Sequence, residues 1–142
     1  MANVKMGFEG LIYEGVAGST ATTLLENTKD ITYNLDVEKG DTTVRGDSTS
    51  VPLKTEQASS LVVSIDFTMI HDITDTAFAA LLTAAYSGGP IAIRTKDYTS
   101  GSGFDGDCVL TVGNAMPISG EQAVTFNAVP TRESGRAPSA YV

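Results

Sequence analysis

The sequence predicts a mainly β protein: an antiparallel β-sandwich or flattened barrel with one flanking α-helix, built as a single domain over residues 1–142. Three observations carry this. The run Leu61–Lys96 reads as strand, short helix and strand. Several further segments alternate apolar and polar residues with the two-residue period of a half-buried strand. A chain of 142 residues with 42% hydrophobic residues suits one core and leaves little room for a second.

Taken in order, Phe8, Gly10 and Ile12 alternate with Glu9, Leu11 and Tyr13, which predicts a first strand with two partly buried faces. Residues 15–23 are rich in Gly, Ser and Thr and read as a loop. In Asp30–Val37, Ile31, Tyr33, Leu35 and Val37 alternate with Thr32, Asn34 and Asp36, a half-buried antiparallel strand. Leu61, Val63, Ile65, Phe67 and Met69 form the clearest strand face in the chain, with Ser64, Asp66 and Thr68 opposite.

Asp72 or Thr74 is the expected cap of the helix, with Asp75 in the first turn at the positive end of its dipole. Phe78, Leu81, Leu82 and Ala85 recur at helical spacing as a core stripe, and Gly88-Gly89-Pro90 stops the helix. Ile91–Lys96 is a strand and residues 97–107 read as a loop. Cys108, Leu110 and Val112 make another core face, residues 116–120 a turn, and Ala123–Pro130 a last strand with Val124, Phe126 and Ala128 on one side. Residues 131–142 have no period and are expected to be an exposed C-terminal tail. The expected core is Leu61, Val63, Ile65, Phe67, Phe78, Leu81, Leu82, Leu110, Val124 and Phe126.

Two segments look made for contact with other chains. Thr76, Ala80, Thr83 and Ser87 form the outward side of the helix, small and uncharged where a free-standing monomer would carry Lys or Glu. Residues 38–60 hold many Ser, Thr, Asp and Gly residues and are too long for an idle loop. They are expected to be an extended inter-subunit arm, mobile alone or folded into an extension of its own, with a short hairpin around Thr42–Arg45. Val44, Val51 and Leu53 are its aliphatic anchors, since a polar arm gains order on association.

The remaining chemistry points away from catalysis. The only histidine, His71, sits beside Asp72 at a strand-to-helix junction and suits a local turn contact better than a general base. The single Cys108 cannot form an internal disulfide, has no basic neighbour in sequence, and reads as a small buried hydrophobe. Asp105-Gly106-Asp107 lacks the full ligand series of a calcium loop, so no metal and no cofactor is expected. Gly101 and Gly103 are followed by no Lys-Ser/Thr and no helix, so they make no phosphate cradle. Asp36, Glu38 and Asp41 lie at the polar end of a strand, where solvation is the default.

The formal charge of −8 and pI near 4.4 give no basic footprint for gripping nucleic acid. The first ten residues show no apolar signal core and no stretch is long enough to span a bilayer, which predicts use in a cytosolic setting or exit from cells by a route other than secretion.

In combination, the Asp/Thr/Arg-rich stretch DTTVRGDSTS at 41–50, the strand SLVVSIDFTMIHD, the helix and strand FAALLTAAYSGGPIAIRT, and the closing run FDGDCVLTVGNAMPISGEQAVTFNAVPTRESGRAP resemble a bacteriophage tail tube (major tail) protein. The resemblance covers roughly residues 30–138, and each piece is a short degenerate pattern. It implies a β-sandwich with a flanking helix, hexameric rings stacked into a hollow tube, and passage of DNA through the lumen without specific binding. It further implies a virion tail assembled in the host cytoplasm, with tail-tip or baseplate and tail terminator proteins as partners, and no catalytic residues. The tube proteins of type VI secretion and contractile injection systems are similar in fold and are the alternative within this class. A monomeric binding module for carbohydrate fits less well, since the chain has no Trp. An acidic balance suits a pore for DNA, because like charge discourages phosphate from sticking to a wall.

Overall fold

Seven antiparallel strands form one sheet in the order β2-β1-β5-β6-β7-β4-β3, curled into a half-barrel with a single α-helix on its apolar side. The strands are β1 (Leu11–Gly15), β2 (Thr23–Leu24), β3 (Thr28–Asp41), β4 (Glu56–Ile70), β5 (Ile91–Lys96), β6 (Asp105–Ala115) and β7 (Ala123–Pro130), and the helix α1 is Thr76–Ser87. This computed structural model describes residues 3–44 and 51–142. The expected mainly β architecture with one flanking helix is present, as one continuous curled sheet.

The period-2 alternation works as read. Phe67 faces Phe126 across the β4–β7 ladder, with Ile65 opposite Ala128 and Met69 opposite Val124. The two phenyl rings stack with centroids 5.2 Å apart, and Phe78 of α1 meets Phe126 edge-on at 6.1 Å. Ile12, Ile93, Phe104, Cys108 and Leu110 extend this core under β1, β5 and β6. The helix is capped by Asp75, whose Oδ1 accepts from the Ala77 N–H at 3.1 Å. Asp72, one of the two expected caps, instead closes a turn by accepting from the Thr74 N–H at 2.9 Å, and Thr74 lies within that turn, so the helix begins one turn later. At the other end Gly88 takes the left-handed conformation (φ 72°), which a residue with a Cβ adopts reluctantly.

Four expectations are corrected. The first strand starts at Leu11, because Gly7–Glu9 form a 3₁₀ turn that leaves Phe8 85% exposed. Leu61 is 57% exposed although it continues the Val63–Met69 face, because β7 pairs with β4 only from Ile65 onward and supplies nothing to cover it. Leu82 is half-buried at the rim of the core. Residues 97–107 are not all loop: Asp105 and Asp107 already belong to β6, and Asp107 is fully buried.

Residues 38–60 are a correction of a different kind. Residues 38–41 and 56–60 are strand, paired in register down to Asp41 opposite Glu56, with a bulge at Glu38/Lys39. The Thr42 N–H still bonds the Thr55 carbonyl at 3.0 Å. The expected small hairpin near Thr42–Arg45 is therefore the outer end of the long β3–β4 hairpin, and its residues 45–50 lie outside the described ones. From Val62 back to Glu56 this ribbon has two strands only, and its side chains are exposed on both faces apart from the half-buried Val37.

Candidate functional site

Three surfaces and one groove stand out among the described residues. The first is the free end of the β3–β4 hairpin, where Val44, Val51 and Leu53 are 76%, 93% and 84% exposed. All three sequence-predicted anchors stand at this one tip. Hydroxyl contacts hold its neck: Thr42 to Thr55 at 2.8 Å, and the Thr55 N–H to Thr43 Oγ1 at 2.9 Å.

The second surface is the side of α1 turned away from the sheet. Thr76, Ala80, Thr83 and Ser87 are all exposed there, with Tyr86 beside them. The hydroxyls of Thr83 and Ser87 bond back to the carbonyls of Ala79 and Ala84 at 2.9 and 3.2 Å, so even these polar groups turn inward. The hairpin tip and the helix side belong to different elements, and the structure does not merge them into one site.

The third surface is the face of the sheet opposite the core. Over β3, β4, β7 and the end of β6, register places Thr32, Asn34, Asp36 and Glu38 beside Ser60, Val62, Ser64, Asp66 and Thr68, then Thr125, Asn127, Thr111 and Gly113. Cross-strand bonds confirm that these share a side: Asn127 Nδ2 donates to Ser64 Oγ at 2.9 Å and to Asp66 Oδ1 at 2.6 Å, and Ser60 Oγ donates to Glu38 Oε2 at 2.9 Å. The wall these residues form is largely polar and carries the carboxylates Asp36, Glu38 and Asp66, while Lys29 in β3 is paired with Glu121. Sequence reading found the acidic balance but not its address. The missing link was strand register.

The same sheet face over β1, β5 and the start of β6 is covered. Asp107 lies there, fully buried, accepting from the Gly18 N–H at 3.0 and 3.1 Å, from the Ser134 hydroxyl and from Arg136 Nη2 at 3.1 Å. Burial pushes its carboxyl up. The bonds from Ser134, Gly18 and Arg136 together outweigh that and hold it below the usual carboxylate range. Arg136 also reaches Asp105 at 3.1 Å, and Arg94 lies 3.7 Å from Asp105. The last residues then run beside the start of β6: Ser139 exchanges both backbone bonds with Asp105 (3.0 and 2.8 Å), and Val142 with Gly103 (3.2 and 2.8 Å). A Cβ at Gly103 would sit 2.2 Å from the Thr95 carbonyl oxygen, so only glycine lets the chain pass here. Tyr33 Oη donates to the Ala140 carbonyl at 2.7 Å. Residues 131–142 thus keep much exposed surface while their backbone is tied down at Thr131, Ser139, Ala140 and Val142, which the missing period could not announce.

A groove of about 600 Å³ runs along the seam between the two ends of the curled sheet, lined by Phe8, Leu11, Leu24, Ile31, Tyr33 and Tyr141 among others. Its polar lining includes Lys96, Asp97 and Ser102, and Tyr141 Oη donates to Asp97 Oδ2 at 3.2 Å. His71 packs its ring 5.0 Å from Phe78, and Cys108 is buried, with burial pushing its thiol up to about 12. Glu14 is nearly buried on the core side of β1, where burial first, and then the charge of Asp75, raise its carboxyl. Among the described residues no group of three or more His, Cys, Asp and Glu is placed to hold a metal ion. No helix is long and apolar enough to cross a membrane.

No family model matches the chain. No curated protein matches it either. Solved structures do. A chain in the tail of an empty gene transfer agent (GTA) particle, computed by helical refinement with C6 symmetry, superposes with a TM-score of 0.75 at 17% identity, over 96% of this chain and 98% of that one. The chain shares its fold with that tail chain. A chain of the native GTA virion superposes with a TM-score of 0.71 at 12% identity, over 98% of this chain and 99% of that one. The SPP1 tail tube matches at 0.65 and 10% identity, over 89% of this chain and 75% of that one.

Proposed function

We propose that this chain is the structural subunit of a hollow viral tail tube, in which six copies close a ring, rings stack, and DNA passes through the lumen. The observation that carries the reading is the near end-to-end match to a subunit of a sixfold, helically repeated tail. The surfaces described above fit it. The polar wall over β3, β4, β7 and β6 is the lumen lining, where its carboxylates repel phosphate. The uncharged side of α1, with Thr76, Ala80, Thr83 and Ser87, is a contact between ring neighbours. The hairpin arm, anchored by Val44, Val51 and Leu53, is a contact with another subunit. Tail-tip or baseplate and terminator proteins would bound the tube, and assembly would take place in the host cytoplasm.

Negative-stain microscopy of the purified chain tests the reading. Long tubes with a stain-filled lumen are expected. A species that stays at 14.8 kDa under all assembly conditions overturns it.

A further inference from the structure

The two ends of the sheet are apolar in a complementary way. One end is the hairpin tip with Val44, Val51 and Leu53. The other is the β6–β7 turn, where Met116 and Ile118 are 70% and 107% exposed, with Ile73 at 88% in the turn before α1. Topology sets them apart. β4 starts at the arm with Glu56 and ends at Ile70, which pairs with Ala123 at the foot of the β6–β7 turn. The two apolar groups therefore sit at opposite ends of one strand and cannot meet within a chain. The arm from Glu56 to Val62 adds about 20 Å of ribbon beyond its last neighbour β7, at ~3.3 Å per residue.

A patch at one end and its acceptor at the other, in every copy, make a heterologous head-to-tail contact, which runs open when it lies along the strand axis and no rotation closes it into a ring. Such a contact builds an open stack. We propose that the turn Met116–Ile118, with Ile73, is the seat for the arm tip of a second copy in the next ring, and that this contact sets the polarity of the stack. It rests on the tube reading above, in which every copy has a like-oriented copy above and below it. The seam groove is a poorer seat, because it opens along the flank of the sheet between β1, β2 and β3, and not at the end that faces an incoming arm.

The turn is free to serve. Met116, Pro117 and Ile118 lie at the tip of a hairpin whose strands are held by eight cross-strand partners from Cys108–Pro130 to Ala115–Ala123. Isolated exposed aliphatics are ordinary; three at each end of the same strand axis form a pattern.

Site-directed crosslinking reads the contact directly. Leu53→Cys and Ile118→Cys are made singly and together, and tubes are treated with a short bis-maleimide. Cys108 is buried and does not compete. The double variant should give a ladder of covalent multimers. A mixture of the two single variants should stop at dimers, since each chain then carries one reactive end. Each single variant alone should give none.

Tubes of the double variant without a ladder overturn the seat, and dimers from Leu53→Cys alone show a tip-to-tip contact and overturn it too. Independently, Ile118→Asp should leave melting unchanged and yield rings that fail to elongate. Normal tubes from Ile118→Asp sink the inference while the tube reading stands. A wild-type chain that never forms tubes removes both.

Discussion

The two halves of β4 make the same backbone ladder to β3 and live in different environments. From Val63 to Met69 every second side chain is buried, under α1 and beside β7. From Glu56 to Val62 none is, although pairing with β3 continues to the end. The difference lies in what stands on either side. The inner half is a middle strand with a helix over it, and the outer half belongs to a two-stranded ribbon. Such a ribbon is marginal by itself in water, because hydrogen bonds alone give little net stability and its side chains bury little. The sequence changes accordingly, from V-x-I-x-F-x-M to the small and polar EQASS. Strand pairing therefore reaches further than the core does, and the excess length is available to other chains.

The sharpest test of this contrast is a matched pair of truncations. Phe67→Ala should lose about 3–5 kcal/mol through lost burial and the cavity left between Phe126 and α1. Leu61→Ala, six residues away on the same face of the strand, should lose less than about 1 kcal/mol. Thermal melting of both would measure the step, and equal losses would mean that the arm is as well packed as the core.

The covered half of the polar face offers a second comparison. Arg136→Ala leaves Asp107 buried without its cation. The loss should fall at or somewhat below the ~3–5 kcal/mol typical of a broken buried pair, because Arg136 is partly exposed. The Asp107 carboxyl is held below its unfolded value. Its contribution is therefore present above the ordinary carboxylate range near pH 4 and is lost as pH falls through the lowered folded value. Acid melts of wild type and Asp107→Asn should converge at low pH. Curves that stay parallel would show that the clasp does not depend on this charge.

Smaller effects on folding, with large ones on assembly, belong to the exposed surfaces. Ala80→Lys and Thr83→Glu should each shift monomer stability by only a few tenths of a kcal/mol, as surface changes do. Both should block ring closure by placing unpaired charge in a packed contact. Circular dichroism with sedimentation separates the two readouts, and normal tubes from both variants would exclude the helix side as a contact. Hydrogen exchange on residues 38–44 and 56–60 should show protection rising on assembly. Equal protection in monomer and tube would mean that the ribbon is already stable alone.

Sequence by itself determined the strand faces and the helix. Burial on one side of a pleat demands alternation, and Val63–Met69, Cys108–Val112 and Val124–Ala128 display it without ambiguity. Gly88 and Pro90 end the helix through local backbone chemistry, which needs no partner.

Tertiary structure decided what depends on neighbours distant in the chain. Leu61 continues a buried pattern and is exposed, because β7 ends before reaching it. Asp107 looks like one more loop carboxylate and is buried, because Gly18, Ser134 and Arg136 arrive from 89, 27 and 29 residues away. The carboxylates of the polar wall come to share a face through cross-strand register, and register is a property of pairs of strands, which a single line of residues does not contain.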